Sequence, residues 1–398
     1  MERFWFLSIV ASLSAFHFPA AAQNYALEFD GTEDYISFSS APSSVQTVEC
    51  WVYPSTNNQK LFQLNASCYV EIISGTLTAT GFTDSTLFVN GLSGVTGVAQ
   101  GVWSHIAITT ATRINASAFE LGRIGTGYLN GKLDEVRLWS DVRKETEIIE
   151  YMCQTLNGNE NGLVAHYQFN ETIGSVLTDN TSNDFDGTLQ FMENEDWVDS
   201  EAFTTWTGST SSDWAVASNW TDSVPDFNDN TGIPSTGNSP SITANIETNL
   251  LVVDSAATLD FSYSGSHTIH GNVFNIGTTN LNPGTHLTIT GSLFMLHTSH
   301  LNIKPLADLT IGQNLYTRIL GLDGTLTIES NNTGTGSLIV NGSSTGNVTT
   351  QRYIPAATWT TWDDGWHLIS SPVPDYPIQD NFTVSPADEY DFYAWSEP

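Results

Sequence analysis

Positive charge is scarce in this chain of 398 residues: 11 Lys and Arg stand against 43 Asp and Glu, a formal net charge of −32. Nucleic-acid affinity comes largely from cations that neutralise phosphates, and an acidic surface repels anionic lipid, so a basic docking patch for either is argued against. Cysteine is nearly absent, with Cys50, Cys68 and Cys153 alone. No Cys-x-x-Cys spacing occurs, which leaves a zinc or redox motif without support. The nine histidines form no His-x-x-x-His pair. Long apolar runs are missing after the first twenty residues, so no later segment is long enough to cross a bilayer as a helix.

What is present reads as exported β structure. The apolar run Phe4–Phe18, followed by Ala20-Ala-Ala22, reads as a signal peptide over residues 1–22, with the mature chain starting near Gln23 and residing outside the cell or on its outer surface. Residues 23–198 alternate short Val-, Ile-, Thr- and Phe-rich segments with Gly, Asn and Ser, the pattern of an all-β domain. One helix is expected around Lys144–Leu156, where Ile148, Met152 and Leu156 recur at four-residue spacing and Asn157-Gly158 supplies a stop. Export permits a disulfide. If their strands are neighbours, Cys50 and Cys68 pair and leave Cys153 free; otherwise all three are buried thiols.

Four segments carry a resemblance. Tyr128-Leu-Asn-Gly-Lys-Leu-Asp-Glu-Val-Arg-Leu-Trp139 begins at an Asn-Gly turn and runs as a strand, with Val136 and Leu138 on one face and Glu135, Arg137 and Trp139 on the other. Upstream stand Ala26–Ile36 and Thr47–Pro54, and downstream Asn161–Asn170. Their content and order resemble LamG-like (concanavalin A-like) jelly-roll domains. Relative to that pattern the stretch between Ile108 and Tyr128 is short, so a strand pair is expected to be missing or rearranged.

Later segments change character. Residues 199–230 space Trp206, Trp214 and Trp220 among turn residues, a pattern that resembles a segment of secreted multi-domain proteins of Bacteroidetes-type bacteria; the rings either stack on sugar or pack into a small core. Residues 231–352 carry a degenerate repeat of about twenty residues, with Thr268–Ile276 matching Thr288–Leu296, which predicts stacked β-solenoid coils, a β-sandwich being the alternative. Residues 353–398 resemble the start of a further β domain, and a sorting domain is expected to follow.

The jelly-roll resemblance implies a Ca²⁺ site on loops that supply Asp side chains and backbone carbonyls. The matching positions are Asp30, Gly31, Asp34 and Asp134, which compete with a plain β-turn at Asp30-Gly31. A second acidic loop, Ser182-x-Asp184-x-Asp186 with Glu193, mimics a Ca²⁺ loop or forms an Asn/Asp-rich turn. Hydrolases related to this fold place carboxylates on one strand face as Glu-x-Asp-x-x-Glu, and retaining chemistry needs two carboxyls about 5 Å apart. Asp134 and Glu135 are adjacent and expected on opposite faces, with Glu135 and Arg137 a surface ion pair. The expected function is therefore non-enzymatic binding or adhesion, with a glycan as partner. The alternatives are the non-catalytic part of a polysaccharide-degrading enzyme or a structural stalk.

Overall fold

The computed structural model describes residues 24–319 and 322–351. The expected signal peptide and the segment 353–398 lie outside them. In chain order the first strands are β1 (Tyr25–Asp30), β2 (Tyr35–Phe38), β3 (Val45–Pro54), β4 (Gln59–Asn65), β5 (Cys68–Ile73), β6 (Thr76–Thr80) and β7 (Thr86–Val89). Then come β8 (Leu92–Ser93), β9 (Ser104–Ile114), β10 (Glu120–Leu121), β11 (Arg123–Ile124), β12 (Gly127–Tyr128) and β13 (Asn130–Trp139). Helix α1 (Glu145–Tyr151) is followed by β14 (Leu163–Tyr167), β15 (Val176–Leu177), β16 (Gly187–Gln190) and β17 (Trp197–Asp199). These strands make two antiparallel sheets. The first runs β17-β1-β13-β3-β9-β7-β8 with β14 also on β13, and the second runs β15-β16-β2-β10-β4-β5-β6. Between them lie the inward residues of each strand, such as Val48 and Val52 of β3 against Phe62, Leu64 and Val70 of β4 and β5. The result is a jelly-roll-like sandwich. The short stretch before β13 is filled by β10 and the β11–β12 hairpin.

Strand β13 is the axis of the first sheet. Its first half pairs with β1, Leu133 opposite Leu27, and its second half with β14, Val136 opposite Tyr167; its other edge lies along β3. Asp134 faces Trp51 and Arg137 faces Glu49, so two residues of β13 oppose Cys50 alone. That is a β-bulge, and its extra residue, Glu135, has a φ of 49°. Simple alternation expects Asp134 and Glu135 on opposite faces. The bulge corrects this: Leu133 and Val136 enter the sandwich core, while the side chains of Asp134 and Glu135 bond to groups on its outer side.

The disulfide expectation is corrected too. Cys50 lies in the first sheet and Cys68 in the second, both facing the core, and all three cysteines are buried free thiols. Helix α1 ends at Tyr151, earlier than the apolar spacing suggests, because the chain beyond it turns so that the Tyr151 and Gln154 carbonyls accept from Arg137. Met152 and Leu156 are nevertheless buried.

From Thr204 onward, apart from two short antiparallel hairpins between coils (Arg318–Ile319 with Leu322–Asp323, and Ser330–Asn331 with Gly334–Thr335), the strands are parallel and stack in register as three sheets. One comprises Thr204–Thr205, Asn230–Ile233, Leu250–Val253, Val273–Asn275, Leu293–Met295, Leu315–Tyr316 and Ser344–Thr345. The other two hold Ser241–Ile242 through Val348–Thr350 and Glu247–Thr248 through Ser337–Val340. This is a β-solenoid, not a second sandwich. Ile269, Ile289, Ile311 and Val340 form one inward ladder. Trp206, Trp214 and Trp220 pack edge to face at 5.1 and 4.5 Å and belong to the same core, closing its first end. The tryptophan-rich stretch is therefore already part of the stack.

The solenoid sheet that starts at Thr204 also packs on the sandwich. Leu250 and Val252, Phe274 and Phe294 form a second apolar cluster with Ala26, Trp51, Trp103 and Met152. Leu251 and Val253 meanwhile face the solenoid core, so both faces of this strand are buried and its sequence, Leu250-Leu-Val-Val253, is apolar throughout. Phe274, Phe294 and Tyr316 stack at 4.9 and 4.8 Å, the spacing of neighbouring strands.

Two outcomes follow. Ile289→Asp, which places a charge in the stack, should lower stability of the full chain by more than about 3 kcal/mol, read from urea melts. A thiol reagent should label almost no cysteine in the native protein and all three after unfolding, and a reductant should leave the melting temperature unchanged.

Candidate functional site

The densest group of ionisable side chains lies on the outer side of the first sheet, beneath α1. The Arg137 guanidinium donates to Glu135 Oε2 at 2.8 Å and to the Tyr151 carbonyl at 2.8 Å, and lies 3.7 Å from Glu49. Glu49 accepts from Trp139 Nε1 at 2.8 Å and stands 3.5 Å from His105. His166 Nε2 is 2.8 Å from Glu135. Asp134 accepts from Ser200 Oγ at 2.6 Å. Burial, then the Glu135 charge, raises the Asp134 pKa well above the carboxylate range. Burial also acts to raise Glu135, yet His166 and Arg137 outweigh it and hold that carboxyl low. Burial and Arg137 drive His105 well below the usual histidine value. The ion pair expected on the surface thus exists, but its side chains are 1% exposed. No substrate reaches it; its chemistry is to clamp α1 to β13.

The residues matched to a Ca²⁺ site do not converge. Asp30 Oδ1 accepts from the backbone N–H of Thr32 at 2.7 Å and of Glu33 at 3.1 Å, and Asp34 Oδ2 accepts from Asp30 N at 2.9 Å. Gly31 turns this loop with a φ of 83°, pressed against Asn130. The loop hydrogen bonds hold the Asp30 pKa at about 2, outweighing the burial that acts against them, while burial lifts Asp34 to about 6. Asp30 pairs with Asn130, whereas Asp134 lies four residues further along β13, about 13 Å at the rise of a strand. These residues do not fit one ion, and among the described residues no group of three or more His, Cys, Asp or Glu is arranged to hold a metal. In the second acidic loop, Asp186 Oδ1 accepts from Asp179 N at 2.9 Å and Asp179 Oδ2 from Phe185 N at 3.0 Å, the bonding of a turn.

Two spacings typical of catalytic sites occur in the chain. Glu28-Phe-Asp-Gly-Thr-Glu33 does spell Glu-x-Asp-x-x-Glu. However, β1 ends at Asp30, so Glu33 sits in the loop and the three carboxylates do not line one strand face. Gly342-Ser-Ser-Thr-Gly346 spells a nucleophile-elbow pattern, but Ser344 lies in a parallel solenoid strand and not at a strand-to-helix turn.

The open face is that of the second sheet. Pairing sets Thr188, Ser37, Glu120, Gln63 and Tyr69 in a row across it. Beside the middle of this row Arg123 lies 3.5 Å from the centroid of the Tyr35 ring. Tyr128 and Phe191 flank Tyr35 at 6.4 and 6.3 Å. The β11–β12 hairpin brings Arg123 opposite Tyr128, with Gly125 at its tip. Arg123 is fixed by Glu120, which also accepts from Gln63 Nε2 at 2.9 Å; the Glu120 bond raises the arginine pKa further. Phe191 is 66% exposed and has a φ of 66°. An apolar ring in water on a left-handed backbone costs about 1–3 kcal/mol in strain with little burial in return. Sequence reasoning missed this cluster because its members come from β2, the β11–β12 hairpin and the loop after β16 and share no periodicity.

No family model matches the chain, and no curated protein matches it. One solved structure, described as that of "a putative carbohydrate binding protein" from Bacteroides ovatus ATCC 8483, is similar over 42% of this chain and 58% of that one, with 18% identity and a TM-score of 0.33. The chain thus spans little more than half of that protein, and likeness at this level transfers neither fold detail nor function.

Asp254, in the solenoid, gives the clearest pH dependence. Burial, then the Glu150 charge, lifts its carboxyl to about 9, and it accepts a hydrogen bond from Gln154. Its unfolded value is about 4. Between those values only the folded state holds the proton, so its contribution to stability is complete below about pH 4 and is lost as pH rises through about 9. Asp254→Asn keeps an acceptor for Gln154 and cannot ionise. Its melting temperature should exceed the wild type by several degrees at pH 9, and the gap should close near pH 4 in calorimetric scans.

Proposed function

We propose that this is a non-catalytic extracellular binding protein whose LamG-like sandwich holds a glycan on the outer face of its second sheet. The observation that carries the reading is the Tyr35, Tyr128 and Phe191 cluster around Arg123, with Phe191 kept exposed on a strained backbone. A sugar ring presents an apolar face suited to such aromatics and hydroxyls suited to Glu120, Gln63 and Gln190 beside them. Exposed aromatic patches of this kind mark binding surfaces more often than packing accidents. The opposite outer face is covered by α1 and the solenoid, which leaves the second sheet as the broad face of the sandwich free to meet a polymer.

The test is a glycan array followed by titration calorimetry with neutral plant and algal polysaccharides. Phe191→Gly relieves the left-handed strain and removes the ring, so it should weaken binding about tenfold or more while the melting temperature stays within about 2 °C of wild type. Tyr128→Ala should act in the same direction. Binding unchanged in both variants sinks this face as the site, and release of reducing ends from the same polysaccharides sinks the non-catalytic assignment.

A further inference from the structure

A second surface lies at the first end of the solenoid, away from the aromatic face of the sandwich. A groove of about 310 Å³ is formed between two turns of the first coils. The Trp214 indole lies in its wall, with Val224, Pro225 and Ile246 around it and Phe227 at the rim. Phe227 is 55% exposed and meets only the edge of His270, with centroids 6.4 Å apart. The Trp214 Nε1–H is buried and has no acceptor among the described residues.

The groove's charges are all of one sign. Asp226 and Glu247 stand in its wall, and Asp226 is shared with an adjoining pocket of about 220 Å³ that also contains Glu201, Asp222 and Asp229. Glu247 has a weak partner in His270 at 3.3 Å. Among the described residues none of Glu201, Asp222, Asp226 and Asp229 has a cationic partner. Asp226 and Asp229 spend part of their bonding on one turn, with Asp229 Oδ2 accepting from Asp226 N at 2.7 Å. Burial, together with the neighbouring carboxylates, raises Asp229 to about 6 and Asp222 in the same direction. An apolar trough leading into uncompensated negative charge is complementary to a chain that alternates cationic and apolar side chains.

We propose that this groove docks an extended basic segment of a partner protein, with an apolar or aromatic side chain against Trp214 and Phe227 and a lysine or arginine in the pocket beyond Asp226. The site is independent of the glycan face, and together the two would let one rigid molecule join a polysaccharide to a protein.

The test uses the full chain and a fluorescein-labelled peptide, Gly-Lys-Leu-Lys-Trp-Lys-Gly, followed by anisotropy at fixed ionic strength, with a version carrying Glu for Lys as the charge control. The lysine peptide should bind and the glutamate peptide should not. Phe227→Ala and Asp226→Asn should each weaken binding about tenfold. Glu28→Gln removes one charge from an exposed position on the sandwich and should change nothing, and Phe191→Gly should also leave the peptide affinity intact. Equal loss in Glu28→Gln and Asp226→Asn would reduce the effect to general attraction by the −32 charge and overturn the proposal. So would a melting shift caused by millimolar Ca²⁺, lost in Asp226→Asn, in a protein that fails to bind the peptide.

Discussion

The Arg137 guanidinium is the contact on which the rest of the architecture depends. It lies on the central strand of the first sheet and satisfies carbonyls from the end of α1 while it neutralises Glu135 and approaches Glu49. Glu135 and Arg137 share a face by alternation, and the bulge at Glu135 brings Asp134 to that face as well. A buried pair of this kind adds little net stability against an apolar substitute, but breaking it would strand a charge, at a cost of several kcal/mol. Its structural effect is to fix α1 and the loop after it. That loop forms the seat of the solenoid: the Cys153 carbonyl accepts from Thr205 Oγ1 at 2.8 Å, and Gln154 bonds Asp254.

The solenoid is therefore not a tethered repeat. Trp51 stacks on Phe203 at 5.8 Å and its indole N–H reaches the Met152 carbonyl at 2.7 Å, which joins β3, the segment after α1 and the chain entering the first coil. Each coil buries one ladder inward, and the sheet on the sandwich side buries a second ladder outward. Burial on two faces lets four-residue strands hold together, since a parallel coil alone has too little apolar area to be stable. The arrangement covers the outer face of the first sheet and leaves the outer face of the second sheet and the first end of the stack open.

Much of this was legible in the sequence. The period-two alternation predicted the sandwich strands, and the near-twenty-residue repeat predicted the coils, because those patterns record which side of each strand must be apolar; Asn130-Gly131, expected as a turn, instead opens β13 and pairs with Asp30 and Phe29. The continuous apolar run Leu250–Val253 also recorded a strand covered on both sides, as did the outward Phe274 and Phe294, though one sequence does not say what covers them.

Tertiary structure decided what alternation by itself does not encode. One inserted residue at Glu135 moved two carboxylates to the same face, and the cover of α1 and the loop after it turned an expected surface ion pair into a buried clamp. Sheet assignment put Cys50 and Cys68 in opposite sheets, so two residues with identical strand patterns never meet as a disulfide. Strand register separated Asp30 from Asp134, which the sequence had grouped as one set of ligands. The two candidate binding surfaces are of the same kind: Tyr35, Tyr128 and Phe191, like Trp214, Phe227 and Glu247, come from separate strands and turns. The sequence determines which residues are apolar, charged or able to turn; only the packing of strands in space determines which of them become neighbours.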